Sequence, residues 1–231
     1  MKYEITTKKY VLTESGTTLI IPISFFDDVI RTELPEQFLA AEKETLRLLS
    51  AELPSEEKIK AAVREFLPYA SGAGYQFDRI VHQHRFVCTS RTMINENCIL
   101  RGTGRGDSVE ITQDFGRFNI VRKTWPGDDY PYRGTGVVID GKLVSYCIEN
   151  SHYHDSYDET EIGVQTHEAY RRRGYASSCA ALLCSLLLAG QTAKIYYNCS
   201  ADNEASFRTA LRAGLDHECE TYYLIFDCEK K

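Results

Sequence analysis

The sequence predicts an α/β fold: a mixed, mostly antiparallel twisted sheet with one parallel strand pair, flanked by helices. Three observations predict it. Residues 160–199 read strand, helix, strand, a unit whose strands run parallel through a right-handed crossover. Two β-rich runs in "GVVIDGKLVSYCIEN" (136–150) flank Asp140-Gly141, a strong short-range hairpin signal. A further helix (202–215) and strand (219–228) close the order hairpin, strand, helix, strand, helix, strand.

Taken in order, "TTLIIPISFFDD" (17–28) reads as a strand. "LPEQFLAAEKETLRLLSAEL" (34–53) reads as a helix, with Pro35 tolerable in its first turn and Leu39, Leu46 and Leu49 on an apolar stripe. "PSEEKIKAAVREFLPYASG" (54–72) is a second helix, with Ser55 as N-cap and acidic residues behind it. Phe77 to Cys88 is read as a strand. "RGTGRGD" (101–107) is a glycine-rich break. "SHYHDSYDE" is a polar loop, and "TEIGVQT" (160–166) a strand. "GYASSCAALLCSLLLAG" (174–190) is a helix ending at Gly190, apolar on several faces and so buried on more than one side. "AKIYYNC" (193–199) is a strand, and "DNEASFRTALRAGL" a helix stopped by Gly214. No internal repeat is evident. The expected division is a helical and partly stranded region over 1–105, of no assigned role, and an α/β domain over 106–231.

The totals exclude several functions. The chain has 231 residues and a formal charge of -6, which argues against broad binding to a phosphate backbone. No apolar run approaches the roughly 20 residues that span a bilayer. The N-terminus lacks a signal peptide's apolar centre, so the cytoplasm is the expected compartment. The 8 cysteines include no CxxC pair, so they read as reduced, small core residues and no structural metal is expected.

"YRRRGYASSC" (170–179) carries the chemistry. It follows a strand and opens a helix, beyond the carboxyl end of a parallel strand, where open α/β sheets bind ligands. A helix N-terminus offers unpaired N–H groups and the positive end of the dipole, and Gly174 permits close backbone approach. Together these suit phosphate or pyrophosphate. Alone, the triplet would read as a solvated basic turn.

"EIGVQTHEAYRRRGYA" resembles the acetyl-coenzyme A loop of the GNAT superfamily of N-acetyltransferases: Arg or Gln, two residues, Gly, one residue, Gly or Ala. Arg171, Gly174 and Ala176 match it. "NEASFRTALRAGL" resembles the family's second motif, through Asn203, Ser206 and Gly214-Leu215. The two occur in the expected order and spacing, and the resemblance covers roughly 136–228. It implies a cofactor site in which the backbone of Arg171, Arg172, Arg173, Gly174, Tyr175 and Ala176 holds the pyrophosphate. Val164, Gln165 and Thr166 would pair with the pantetheine arm as an added strand, and Asn203 and Ser206 would reach the coenzyme from the next helix. The strands at 160–166 and 193–199 would splay, and an N–H near Gln165 would stabilise the oxyanion.

The implied activity is transfer of an acyl group, acetyl above others, from coenzyme A to a primary amine by direct attack in a ternary complex. An alkylamine is protonated at pH 7, so a base is needed. Glu161 occupies the place where the family often carries one, and Glu149 is the second candidate. The family's usual Tyr general acid falls at Ala210 here, leaving Ser206 or a water to assist the thiolate. Acetyl-coenzyme A is the expected cosubstrate, with no metal. Expected partners are a small-molecule, peptide or protein amine, with neither nucleic acid nor membrane; a homodimer is one assembly the sequence allows. The first 105 residues would shape the acceptor site, form an oligomer contact, or be a decayed copy of the fold. One rival is a non-catalytic acyl-coenzyme A-binding module. Another is a metal-dependent hydrolase using His152, His154, Asp155 and Asp158. His82 and His84, and the aromatic "WPGDDYPYRG" (125–134), have bland readings as strand-face histidines and a loop.

Overall fold

The structure, a computed structural model, describes residues 2–7, 18–26, 29–34, 55–101, 107–111, 133–152 and 158–228. It is a mixed α/β fold. Apart from Leu34, which ends a strand, the expected helix over 34–53 lies outside the described residues, as do most of the glycine-rich break, the 125–134 loop and the His/Asp loop.

The chain forms two compact units, one of residues 1–84 with 219–231 and the other of 85–218. The sequence-based boundary at 105 thus falls inside the second unit. In the first unit, strands β1 (Lys2–Thr7), β2 (Thr18–Phe25) and β3 (Val29–Leu34) join β4 (Tyr75–Thr89) and β10 (Asp216–Cys228) in the order β1-β3-β2-β10-β4. β4 and β10 run on into the second unit. β2 and β10 are antiparallel, with Leu224 opposite Ile21 and Tyr222 opposite Ile23. Helix α1 (Glu56–Gly72) buries Ile59, Ala62, Val63, Phe66 and Ala70 against Ile21, Ile23, Ile30, Leu224 and Phe226. Its start follows the sequence: Ser55 is extended, and its side chain accepts from the Lys58 N–H at 3.4 Å.

The second unit adds β5 (Ser108–Glu110), β6 (Gly134–Ile139), β7 (Lys142–His152), β8 (Glu159–Thr166) and β9 (Lys194–Ser200), in the order β4-β9-β8-β7-β6-β5. Asp140 and Gly141 make the β6–β7 turn with φ of 49° and 74°, the left-handed pair that a two-residue hairpin needs. Helices α2 (Tyr175–Ala189) and α3 (Glu204–Ala213) pack on each other and on this sheet. α2 is apolar on several sides because Cys179, Ala180, Leu183, Cys184 and Leu187 all sit in one core with Val144, Cys147, Ile162, Ile195 and Tyr197. Cys88, Cys147, Cys179, Cys184, Cys199 and Cys219 are buried free thiols, as their small apolar character suggests.

One pairing positions the site. β8 and β9 run parallel, as the strand–helix–strand pattern requires, but only through Glu159–Lys194, Thr160–Ile195 and Glu161–Tyr196. Beyond Glu161, β8 continues to Thr166 paired with β7 alone, so the central strands splay.

Candidate active site

The splay opens a cleft of about 280 Å³. Glu161, Ile162, Gly163 and Val164 form one wall, and Tyr197 to Ser200 the other. Asn203 and Ser206 reach in from the start of α3, and Asn150 from β7.

Backbone direction along β8 follows from its ladder. His167 donates its N–H to Val144 O at 2.9 Å, and Gln165 O accepts the Ser145 hydroxyl at 3.2 Å. Alternation therefore turns the backbone of Gln165 toward β7 and that of Val164 and Thr166 the other way, onto the edge where β9 has left. The cleft-facing N–H is that of Val164 rather than that of Gln165. The Gln165 side chain meanwhile accepts from the Tyr146 hydroxyl at 2.6 Å.

The arginine loop lies at the end of this strand. Glu168–Tyr170 makes a short 3-10 turn, and Arg171 donates its Nε to Thr166 O at 3.4 Å. Arg172 and Gly174 have φ of 62° and 81°, so the chain doubles back through the left-handed region, Gly174 being the N-cap of α2. The side chains of Arg171, Arg172 and Arg173 are exposed; Arg173 lies over the Tyr170 ring at 5.3 Å. The Tyr175 side chain is buried. The backbone N–H groups from Arg172 to Ser177 have no acceptor among the described residues, and α2 has no side-chain cap. A fourth arginine joins them: Arg212, in the last turn of α3, brings its Nη2 within 3.3 Å of where a Gly174 Cβ would stand. The resemblance did not include it; its signal is a cation at the C-terminal end of a helix that packs on α2.

Glu161 is half-buried at the last position where β8 pairs with β9. Its burial raises the carboxyl above its ordinary value, against a hydrogen bond from Asn198 and the charge of Arg85, which lower it. Arg85 Nε donates to Asn198 Oδ1 at 3.4 Å, which leaves the Asn198 amide nitrogen to donate to Glu161. Glu149 stands elsewhere. It is wholly buried, its Oε2 accepts the Arg133 N–H at 2.6 Å, and it does not line the cleft.

Asn203 caps α3, accepting the Ser206 N–H on Oδ1 at 3.1 Å. The Ser206 hydroxyl lies 2.6 Å from that of Tyr197. Ala210 is buried in the core. Several cleft residues were not foreseen, Asn150 and Tyr197 among them. Asn150 stands at a bulge in β7, and its side chain covers Gly163, where a Cβ would collide with it. Tyr197 is one of the inward residues of β9, with Ile195 and Cys199, legible only from strand alternation.

Among the described residues, no group of three or more His, Cys, Asp and Glu is placed to hold a metal ion. No described helix is long and apolar enough to cross a membrane.

Comparison with known proteins adds the family. The model of the GNAT acetyltransferase family matches residues 108–225. No curated protein matches the sequence. The fold is similar to that of a candidate GNAT acetyltransferase from Novosphingobium aromaticivorans, at a TM-score of 0.50 and 16% identity over 68% of this chain and 69% of that one. A Drosophila protein is similar at a TM-score of 0.50 and 13% identity, over 72% of this chain and 57% of that one. A GCN5-related N-acetyltransferase-like protein from Streptococcus suis follows at 0.46 and 17%, over 74% and 76%. With about half its length matched by the family model, on the strands and loop that build the cleft, this chain belongs to the GNAT acetyltransferase family.

Proposed function

We propose that the protein transfers an acetyl group from acetyl-coenzyme A to an amine by direct attack in a ternary complex. The observation that carries this reading is the loss of β8–β9 pairing immediately after Glu161, with an anion-ready loop at the end of the same strand.

The residues present fit the coenzyme. The unpaired N–H groups of residues 172–177, at the positive end of α2, suit its pyrophosphate, with the arginines at the rim. The open edge at Val164 and Thr166 suits the amides of its pantetheine arm, in the manner of an added strand. The bound thioester supplies an activated acetyl carbon. The protein's own contributions are then two. Glu161, its proton affinity raised by burial, removes a proton from the ammonium form of the acceptor; a base of this kind typically contributes ~10²–10⁴ in rate. The Val164 N–H, fixed by the β7 ladder, donates toward negative charge developing in the cleft. Glu149 serves the fold instead, tying Arg133 to β7.

Calorimetric titration of acetyl-coenzyme A into the wild type and Gly174→Asp tests the reading. Aspartate tolerates positive φ better than most residues, and Arg212 is at hand to pair with it, so the variant should fold. Binding by the wild type and loss by the variant is expected, followed by acetylation of a member of an amine panel. Failure of folded wild type to bind overturns the proposal. Binding without turnover of any amine would favour a non-catalytic coenzyme-binding module.

A further inference from the structure

The bulge in β7 has no part in the acyl-transfer step above. Glu149 lies opposite Ile162 and Ser151 opposite Glu161, so Asn150 is an extra residue of β7 set against two consecutive residues of β8. A bulge of this kind re-aims the side chain it carries. Here that side chain comes to rest on β8. A Cβ on Gly163 would stand 2.9 Å from Asn150 Cγ and 2.9 Å from its Oδ1, and nearer still to its Nδ2. The carboxamide therefore occupies the space of the side chain that Gly163 lacks.

Its position matters because of Glu161. Along β8, Thr160 and Ile162 are buried while Glu161 and Gly163 are half-buried, so the latter two share a face. Both line the cleft, with Asn150. Residues two apart on a strand stand roughly 7 Å from each other. A carboxylate and a carboxamide thus flank one stretch of the cleft wall. Asn150 is exposed, and a carboxamide carries two N–H donors and an acceptor oxygen. A hydroxyl complements it whichever way the amide is turned, because a hydroxyl both donates and accepts. An apolar group would strip water from the amide and return no hydrogen bond. A carboxylate would stand near that of Glu161. Hydrogen bonds of about 3 Å at each end leave a gap that nitrogen and oxygen on adjacent carbons span.

Resting on the acyl-transfer reading, we propose that Asn150 selects the acceptor, and that the acceptor is a vicinal amino alcohol whose nitrogen lies at Glu161 and whose hydroxyl lies at the Asn150 carboxamide. The hydroxyl is held and does not react; the nitrogen alone forms the new bond.

The test compares kcat/KM for trans-2-aminocyclohexanol with that for cyclohexylamine, acetyl-coenzyme A being the donor, in wild type, Asn150→Ala and Gly163→Ala. Comparing this ratio between proteins cancels the difference in basicity of the amines. General damage to the fold lowers both amines alike and leaves the ratio unmoved. Wild type should prefer the amino alcohol, and each variant should lose roughly threefold to tenfold of that preference, as loss of one hydrogen bond implies. Gly163→Ala keeps Asn150 in the sequence and displaces only its exposed carboxamide, so it carries the test if Asn150→Ala fails to fold. The double variant should lose no more than either single one, because both act on one group. The preference for trans-4-aminocyclohexanol, whose hydroxyl is held away from the nitrogen, should respond to neither. Affinity of trans-2-aminocyclohexanol for the complex with coenzyme A, which has no acetyl group to give, should fall by the same factor. No preference for the vicinal amino alcohol in wild type, an equal preference in wild type and variants, or an equal shift for the 4-isomer overturns the inference while acetyl transfer stands. No acetylation of any of the three amines by folded wild type overturns both.

Discussion

Glu161 holds its proton more tightly than a solvated carboxylate because burial outweighs the help of Asn198 and Arg85. This has two consequences of opposite sign. If Glu161 is the base, as proposed, it must be ionised, so kcat/KM should fall on the acid side with a midpoint above the ordinary carboxylate value of 4.5. As a folded-state group with a raised pKa, its ionised form costs stability at neutral pH. That cost fades as pH falls through the folded value and is absent below the unfolded one. Glu161→Gln should therefore lower turnover by ~10²–10⁴ and remove the acid limb, yet melt no lower than wild type at pH 7. A variant that melts markedly lower, or that keeps the limb, would show that Glu161 is structural and that the base is elsewhere. The sequence put Glu161 first and Glu149 second, on the resemblance, since as strand-end carboxylates the two look alike. The difference between them is one of face: Glu149 shares its side of β7 with core residue Cys147 and is tied to Arg133, while Glu161 opens on the cleft.

At the scale of elements, several segments were legible because local signals coincide with tertiary need. The Asp140-Gly141 turn, the Ser55 cap and the helix-opening Gly174 each appear where the backbone requires them. Gly190 and Gly214 show the limit of such signals. Both end helices, but Gly190 has φ of -83° while Gly214 has φ of 89°. A Cβ on Gly214 would stand 2.5 Å from Met93 O and 2.6 Å from Asn95 N. The closeness has a cause: Asn95 donates its N–H to Ala213 O and its Nδ2 to Arg212 O, satisfying carbonyls that α3 leaves open. Gly214→Ala should thus pay left-handed strain and a backbone collision together. We expect a loss of about 2 kcal/mol or more, a fall of roughly 4–8 °C in Tm. Gly190→Ala, with no left-handed strain, should stay within about 1 kcal/mol. Equal effects on thermal melting would refute the distinction. Edge elements were less legible. β5 is three residues long, and β1 and β3, though their charged residues are spaced two apart as in a strand, are runs of only six residues.

For the whole molecule, the two halves of the sequence differ in legibility because they draw on partners at different distances. β8, α2 and β9 pack against near neighbours in the chain, whereas β2 takes its partner from some 200 residues away, Ser24 meeting Thr221 at 2.9 Å. No local pattern carries such a pairing, and a boundary placed at a glycine-rich break misses a strand that returns from the far terminus. The core beneath the cleft is a separate cluster from the one under α1, and α2 joins that core to the anion-ready loop. A ligand held at the α2 N-terminus should therefore stabilise the unit of residues 85–218 against unfolding. At a coenzyme concentration 100-fold above Kd, linkage predicts about 2.7 kcal/mol, or a rise of roughly 5–11 °C for a chain of this size. Gly174→Asp should abolish the rise while keeping its own melting transition, and Glu161→Gln should retain it, since the proposal gives the carboxylate to the chemistry and the loop to the pyrophosphate. A rise that survives in Gly174→Asp would mean the coenzyme is held away from the loop, and the assignment of residues 172–177 would fall with it.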